Sequence, residues 1–217
     1  MNHRFQNFDP GQFANSRSNL GANDAQGALS KVNSLSEVSP GTLLVASPAL
    51  ANSPFQRTVV FVLQNNQEGT FGVVLNRPGD EKMKFAWQKL TGSELGERFI
   101  MQGGPIGGPI FALHQEEGLA EMEMPGGVFV SAQSETFHQL IERDESAYRI
   151  VFGVSGWKFG QLSQEIKQGL WFTLDGNAEQ VFDDPTLMWE KSIRRYGQQL
   201  ICEVIGINGL PESPLLN

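Results

Sequence analysis

"YRIVFGVSGWKFGQLSQEIKQGLWF", residues 148–172, decides the fold. It opens on an apolar, strand-favouring run from Tyr148 to Val154, continuous enough for a strand covered on both faces. Such a strand belongs at the centre of a sheet. Small residues follow, Ser155 and Gly156, then Trp157 and a further glycine, Gly160. From there the apolar spacing changes: Leu162 and Ile166 stand four apart, on one face of a short helix. After Gly169, "LWFTL" returns to strand character. The expected unit is strand, small-residue turn, helix, strand, with Trp157 filling the corner and Trp171 packed nearby.

Two residues of this unit invite a chemical reading. Gly153-Val154-Ser155-Gly156-Trp157 lies one step from the nucleophile elbow G-x-S-x-G, between a strand and a helix as an elbow should be. Trp157 stands where close strand–helix packing calls for glycine, and no histidine is placed by spacing to serve Ser155. A tight turn accounts for the pattern better. Glu165 lies about 60° from Leu162 on the helix, at the edge of its buried face. A carboxylate there must find a cation or backbone N–H donors. Lys158, Arg77 and Arg57 are the cations considered, and tying down a loop is the expected role, with acid–base chemistry the rival.

Outward from this unit, short strand-rich runs recur: "TLLVAS", "TVVFVL", "FGVVLN", "RFIMQ", "IFALH" and "GGVFVSA". "QNNQEGT" joins two of them as a hairpin. Three helices punctuate the strands. "EKMKFAWQKLTG" carries Met83, Trp87 and Leu90 at i, i+4, i+7, with Gly92 as a left-handed cap. "SETFHQLIER" is read with Ser134 as N-cap and Phe137, Leu140 and Ile141 inward. "DDPTLMWEKSIRRYG" is read with Asp184 as N-cap, Pro185 in the first turn and Gly197 as its end. Hairpins mixed with helices, without strict alternation, predict an α+β fold with a mixed, strongly curved sheet. Residues 1–38, rich in Asn, Gln, Ser and Gly, are expected to be a flexible extension, with "GALSKVNSLSEV" as a possible short docked helix. The domain is expected over 39–200, with a tail over 201–217.

Composition narrows function. Asp and Glu outnumber Lys and Arg by 24 to 16, a formal charge of −8, which disfavours an extended phosphate-binding surface and hence nucleic acid. Cys202 is the single cysteine, so neither an intrachain disulfide nor a cysteine-based zinc site is available. His114 and His138 are isolated, so no metal is expected. "GGPIGGP" loses donors at Pro105 and Pro109 and lacks a following Lys-Ser/Thr, so it is read as a special-geometry loop and no phosphate cofactor is expected. With no secretory leader and no long apolar run, the chain reads as cytosolic and without a membrane span.

Six stretches in order, "GTLLVASPAL", "FQRTVVFVL", "EGTFGVVLNRP", "QGGPIGG", "SGWKFGQLSQEI" and "DDPTLMWEKSIRRYG", resemble the AlgH family of bacterial proteins (the YqgE type). The resemblance runs from about Gly41 to Gly197. It implies a pseudo-barrel built from a bifurcated sheet, with helices packed outside, and a family label as transcriptional regulator without an assigned biochemistry. Asn65-Asn66 stands where the family often has His-Asn, after Gln64 in place of an acidic residue. Ser163 replaces a common Glu. The leading expectation is a non-enzymatic binding or regulatory module for a protein or small-molecule partner. A hydrolase-like enzyme with a cleft near Ser155, Trp157 and Glu165, and a DNA-binding regulator, are the alternatives. Cleft candidates are Asn76, Arg77, Ser155, Trp157, Gln161 and Glu165, the first two emerging at a strand end before Pro78.

Overall fold

The computed structural model describes residues 38–92, 100–143 and 147–205. The expected N-terminal extension up to residue 37, its docked helix, and the tail beyond Ile205 lie outside the described residues. Nine strands form one sheet among those described: β1 (Thr42–Ala46), β2 (Val59–Asn66), β3 (Gly69–Val74), β4 (Ile100–Gln102), β5 (Ile106–His114), β6 (Met122–Met124), β7 (Val128–Ser131), β8 (Tyr148–Trp157) and β9 (Trp171–Asp175). Their order is β6-β7-β5-β8-β3-β2-β1-β9, with β4 beside β8. Among the described strands only the β4–β8 pair is parallel. The fold is α+β, a curled sheet closing into a half-barrel.

β8 is where the sheet forks. Its first half pairs with β5 on one side and β4 on the other, Ile150 facing both Ala112 and Ile100. Its second half leaves β4 and pairs with β3 through Gly72↔Ser155, Phe71↔Gly156 and Thr70↔Trp157. The change falls at Gly153, whose φ of 75° is left-handed and re-aims the strand. Opposite it, β5 slips in register between Ile106 and Ile110. A Cβ on Gly103 would stand 2.3 Å from the Gly153 carbonyl oxygen, and one on Gly104 2.3 Å from Ser155 Oγ. The glycine–proline block is thus dictated by backbone packed on backbone.

Two expectations change here. Gly153–Trp157 is bulged strand rather than turn, because its partners on β3 continue to Thr70; the reversal comes at Lys158–Gly160. The block expected as a loop gives Ile106–Pro109 to β5, because paired strands flank its bulge.

β1 and β2 are buried on both faces, as their unbroken apolar runs require. Leu43, Val45, Phe61 and Val73 line the inner face, closed by α4 (Ala178–Val181) and α5 (Met188–Ile205) through Val181, Met188, Trp189, Ile193 and Tyr196. Leu44, Val60 and Val74 face the other way, under α3 (Gln161–Lys167) and Phe55. Beyond the fork, α1 (Glu81–Thr91) and α2 (Ser134–Glu142) cover Ile100, Ala112 and Ile150 with Trp87, Phe137 and Leu140. Among the described residues no helix is long and apolar enough to cross a membrane.

Helix ends differ from the sequence reading in instructive ways. Ser134 is the first helical residue of α2, not its cap; Glu121 Oε1, from the β6 side, accepts the N–H groups of Ala132 at 3.0 Å and Gln133 at 2.9 Å. That remote carboxylate anchors the residues leading into the helix, while its first-turn N–H groups receive no side-chain cap among the described residues. Asp184 accepts the N–H and hydroxyl of Thr186 in a separate turn, and α5 begins at Met188. It also continues through Gly197 to Ile205. Glycine inside a helix costs about 1 kcal/mol, outweighed here by Trp189, Ile193 and Tyr196 packing on the inner core. Leu90, expected inside, is 43% exposed, and Trp87 is the buried anchor of α1.

Candidate functional site

The reversal at Lys158–Gly160 brings three of the six candidate residues into one hydrogen-bonded group. Gly160, with φ of 76°, starts α3, whose direction carries Gln161 and Glu165 back over the end of β8. Glu165 Oε2 accepts two indole N–H groups, from Trp157 at 2.9 Å and from Trp171 at 2.8 Å. Its Oε1 accepts the Gln161 amide at 2.9 Å. The predicted cationic partners are not the ones used. Instead of Lys158, Arg77 or Arg57, two tryptophans eight residues before and six after supply the donors, which no charge-based reading of the sequence would select. The indoles meet edge to face with centroids 5.7 Å apart, and Phe55 covers them, 5.9 Å from Trp157 and 5.3 Å from Trp171. Trp157 and Trp171 are almost wholly buried while the carboxylate is half-buried. A carboxylate with both oxygens engaged this way positions aromatic rings.

Ser155 belongs to a different group. Fully buried, its hydroxyl donates to the Gly103 carbonyl at 3.1 Å, tying β8 to the glycine–proline block. Asn76 is elsewhere again: its side-chain oxygen accepts the Val59 N–H at 2.9 Å and its amide donates to the Arg57 carbonyl at 2.8 Å. It thereby completes the ladder where β2 begins. The backbone of Arg77 accepts from Gln102 N at 2.8 Å, and its side chain is half-buried. Arg57 turns to Trp189, its guanidinium 4.8 Å from the ring centroid, and pairs with Glu190.

Two buried ionisable residues carry strong signatures. His114, wholly inaccessible, accepts the Glu116 N–H at Nδ1 (3.2 Å) and lies 3.0 Å from Ser131 Oγ at Nε2. Since Ser131 donates its own proton to the Leu119 carbonyl at 2.7 Å, the imidazole must be the donor to it. The pair runs opposite to a serine activated by a base. Burial lowers the His114 pKa to about 4, against a smaller raising influence of Glu116, so the ring is neutral. Arg149 was not singled out from the sequence. Its guanidinium donates from Nε to the Val181 carbonyl at 2.7 Å, from Nη1 to Leu75 at 3.2 Å and from Nη2 to Asp183. Burial lowers its pKa to about 10, so it stays charged at neutral pH. The one available signal was a charge inside the apolar run at 148–154.

Among the described residues no group of three or more His, Cys, Asp and Glu could hold a metal ion. The exposed surface has another character. Phe71 on β3 and Ile106 on β5, 38% and 36% exposed, flank Gly156 of β8: a Cβ there would meet Ile106 at 3.0 Å and Phe71 at 3.3 Å. Phe159, in the reversal, is 72% exposed.

A half-barrel α+β domain whose sheet forks along one long strand is the class this geometry defines. Residues 43–201 match the AlgH-like family, and the chain belongs to it. It is 32% identical to a UPF0301 protein of Chlorobium limicola over 193 residues, covering 86% of this chain and all of that one. Another UPF0301 protein, from Thermobifida fusca, is 32% identical over 196 residues, covering 82% and 94%. Among solved structures, the AlgH protein of Pseudomonas aeruginosa superposes with a TM-score of 0.57 at 22% identity, covering 80% of this chain and 98% of that one. A Corynebacterium diphtheriae protein gives 0.60 at 23%, covering 73% and 87%. These two likenesses show the fold.

Proposed function

We propose that this AlgH-like protein is a cytosolic, non-enzymatic binding or regulatory module, and that the fork of the sheet presents its binding surface to a protein partner. One observation carries the reading: Phe71, Gly156 and Ile106 form a continuous exposed apolar surface across β3, β8 and β5. Exposed apolar area of this kind, backed by a rigid sheet, favours association. The polar groups nearby support the same reading. The Ser155 hydroxyl and both Glu165 oxygens are engaged in internal bonds that hold the corner in shape. The lone Cys202 suits a reducing compartment.

Site-specific photo-crosslinkers at Phe71 and Ile106, compared in living cells with one at exposed Gln168, test it. A discrete adduct from the fork positions, absent at Gln168, is expected. Labelling of Ser155 by a fluorophosphonate hydrolase probe, abolished by Ser155→Ala, would overturn it in favour of an enzyme.

A further inference from the structure

α1 is attached by a narrow face. Met83 and Trp87 turn toward α2 and the sheet, and Trp87 is its only fully buried side chain. Adjoining that face, from Leu90 at its edge round to Phe85 on the far side, lie Lys82, Phe85, Ala86, Lys89 and Leu90, at i, i+3, i+4, i+7 and i+8, all exposed. Phe85 is 67% exposed and Leu90 43%. A stripe with this spacing ordinarily faces a core. Here it faces solvent.

Its charge is equally out of place. On a chain of net charge −8, α1 holds three lysines and one glutamate. Lys84 pairs with Glu81 at 2.8 Å, but Lys82 and Lys89 enter no ion pair among the described residues. Lys89 in the last turn complements the helix dipole. Lys82 in the first turn opposes it, where an acidic residue is favoured. Asp80 and Glu81 complement the dipole there, and Lys82 is left without a carboxylate partner among the described residues.

We propose that the Lys82–Phe85–Ala86–Lys89–Leu90 stripe docks an acidic amphipathic segment of a partner protein, whose apolar side chains cover Phe85 and Leu90 while its carboxylates pair with the two lysines. A second copy of this chain fits less well, because a two-fold contact through α1 brings Lys82 and Lys89 of one copy against those of the other. An anionic membrane fits less well too: a broad charged plane repels the whole −8 protein, whereas a short segment senses charges within about one Debye length, roughly 8 Å. The surface is separate from the fork, so this inference stands or falls without it.

The test is fluorescence anisotropy of the full chain with a labelled helical peptide of roughly four turns, leucines on one face flanked by glutamates. Its controls are the same peptide with lysines for glutamates, and phosphatidylglycerol vesicles. Saturable binding of the acidic peptide alone is expected, weakening as salt rises. Lys82→Glu with Lys89→Glu should reduce affinity about tenfold or more, and Phe85→Ala several-fold, with circular dichroism unchanged. Phe71→Ser should have no effect. Absence of saturable binding, indifference to the lysine replacements, equal binding of the basic peptide, or preferential binding to vesicles would each overturn the proposal. Loss of peptide binding in Phe71→Ser alone would move the site to the fork and refute α1 while leaving the binding reading intact.

Discussion

The four tryptophans divide the molecule in two. On the β9-β1-β2 side, Trp157 and Trp171 share one carboxylate, and Trp189 donates to the Ala46 carbonyl at 2.7 Å. On the other side of the fork, Trp87 is equally buried, packs 5.5 Å from Phe137, and its indole N–H has no partner among the described residues. A buried donor left unmade carries a penalty of about 1–3 kcal/mol. One wing therefore holds its aromatic residues by direction as well as by area. The other holds the Trp87 ring by packing, with no directional bond to its indole among the described residues.

Five variants would break or sharpen this contrast. Glu165→Ala should destabilise most, by about 3 kcal/mol in urea denaturation, since two indole donors lose their acceptor together. Glu165→Gln, which keeps an acceptor oxygen, should cost about 1 kcal/mol. Equal losses in the two variants would mean the carboxylate does not organise the rings.

Acid probes the other wing. The His114 pKa of about 4 lies below its unfolded value near 6.5, so the unfolded chain takes up the proton first. The contribution is complete above pH 6.5 and declines between 6.5 and 4, by about 2–3 kcal/mol. His114→Gln should flatten that part of the stability–pH curve. An unchanged slope would place the titration elsewhere.

The tryptophans themselves test the two wings directly. Trp171→Phe should lose about 1–2 kcal/mol, because it removes a charge-assisted bond. Trp87→Phe should lose less than about 1 kcal/mol, because it also removes an unpaired donor. Reversal of that ranking would erase the distinction between the wings.

Much of the fold was legible, for identifiable reasons. Unbroken apolar runs such as Leu43–Ala46 and Val59–Leu63 announced strands covered twice, and the texture of Tyr148–Val154 announced the central strand. The fork was legible only through family resemblance, since pairing of β8 with three neighbours depends on contacts remote in sequence. β6 was missed because three residues carry too little pattern. α4 was missed although Asn177 and Gln180 form a capping box that the sequence displays. At the corner, Glu165 was recognised as needing partners, but counting charges pointed to lysine and arginine when the donors were indoles. Arg149 was overlooked because its partners are carbonyls, which have no sequence signature.

The strand order also has a consequence for synthesis on the ribosome. β1, β2 and β3 emerge early as a meander, yet its two open edges await β9 and β8, encoded near the end of the described chain. Until Trp171–Asp175 has been made, Thr42–Ala46 presents unpaired backbone flanked by bare apolar side chains. The nascent polypeptide should therefore be a client of chaperones for most of its translation, and truncation before residue 171 should yield aggregates rather than a smaller folded unit.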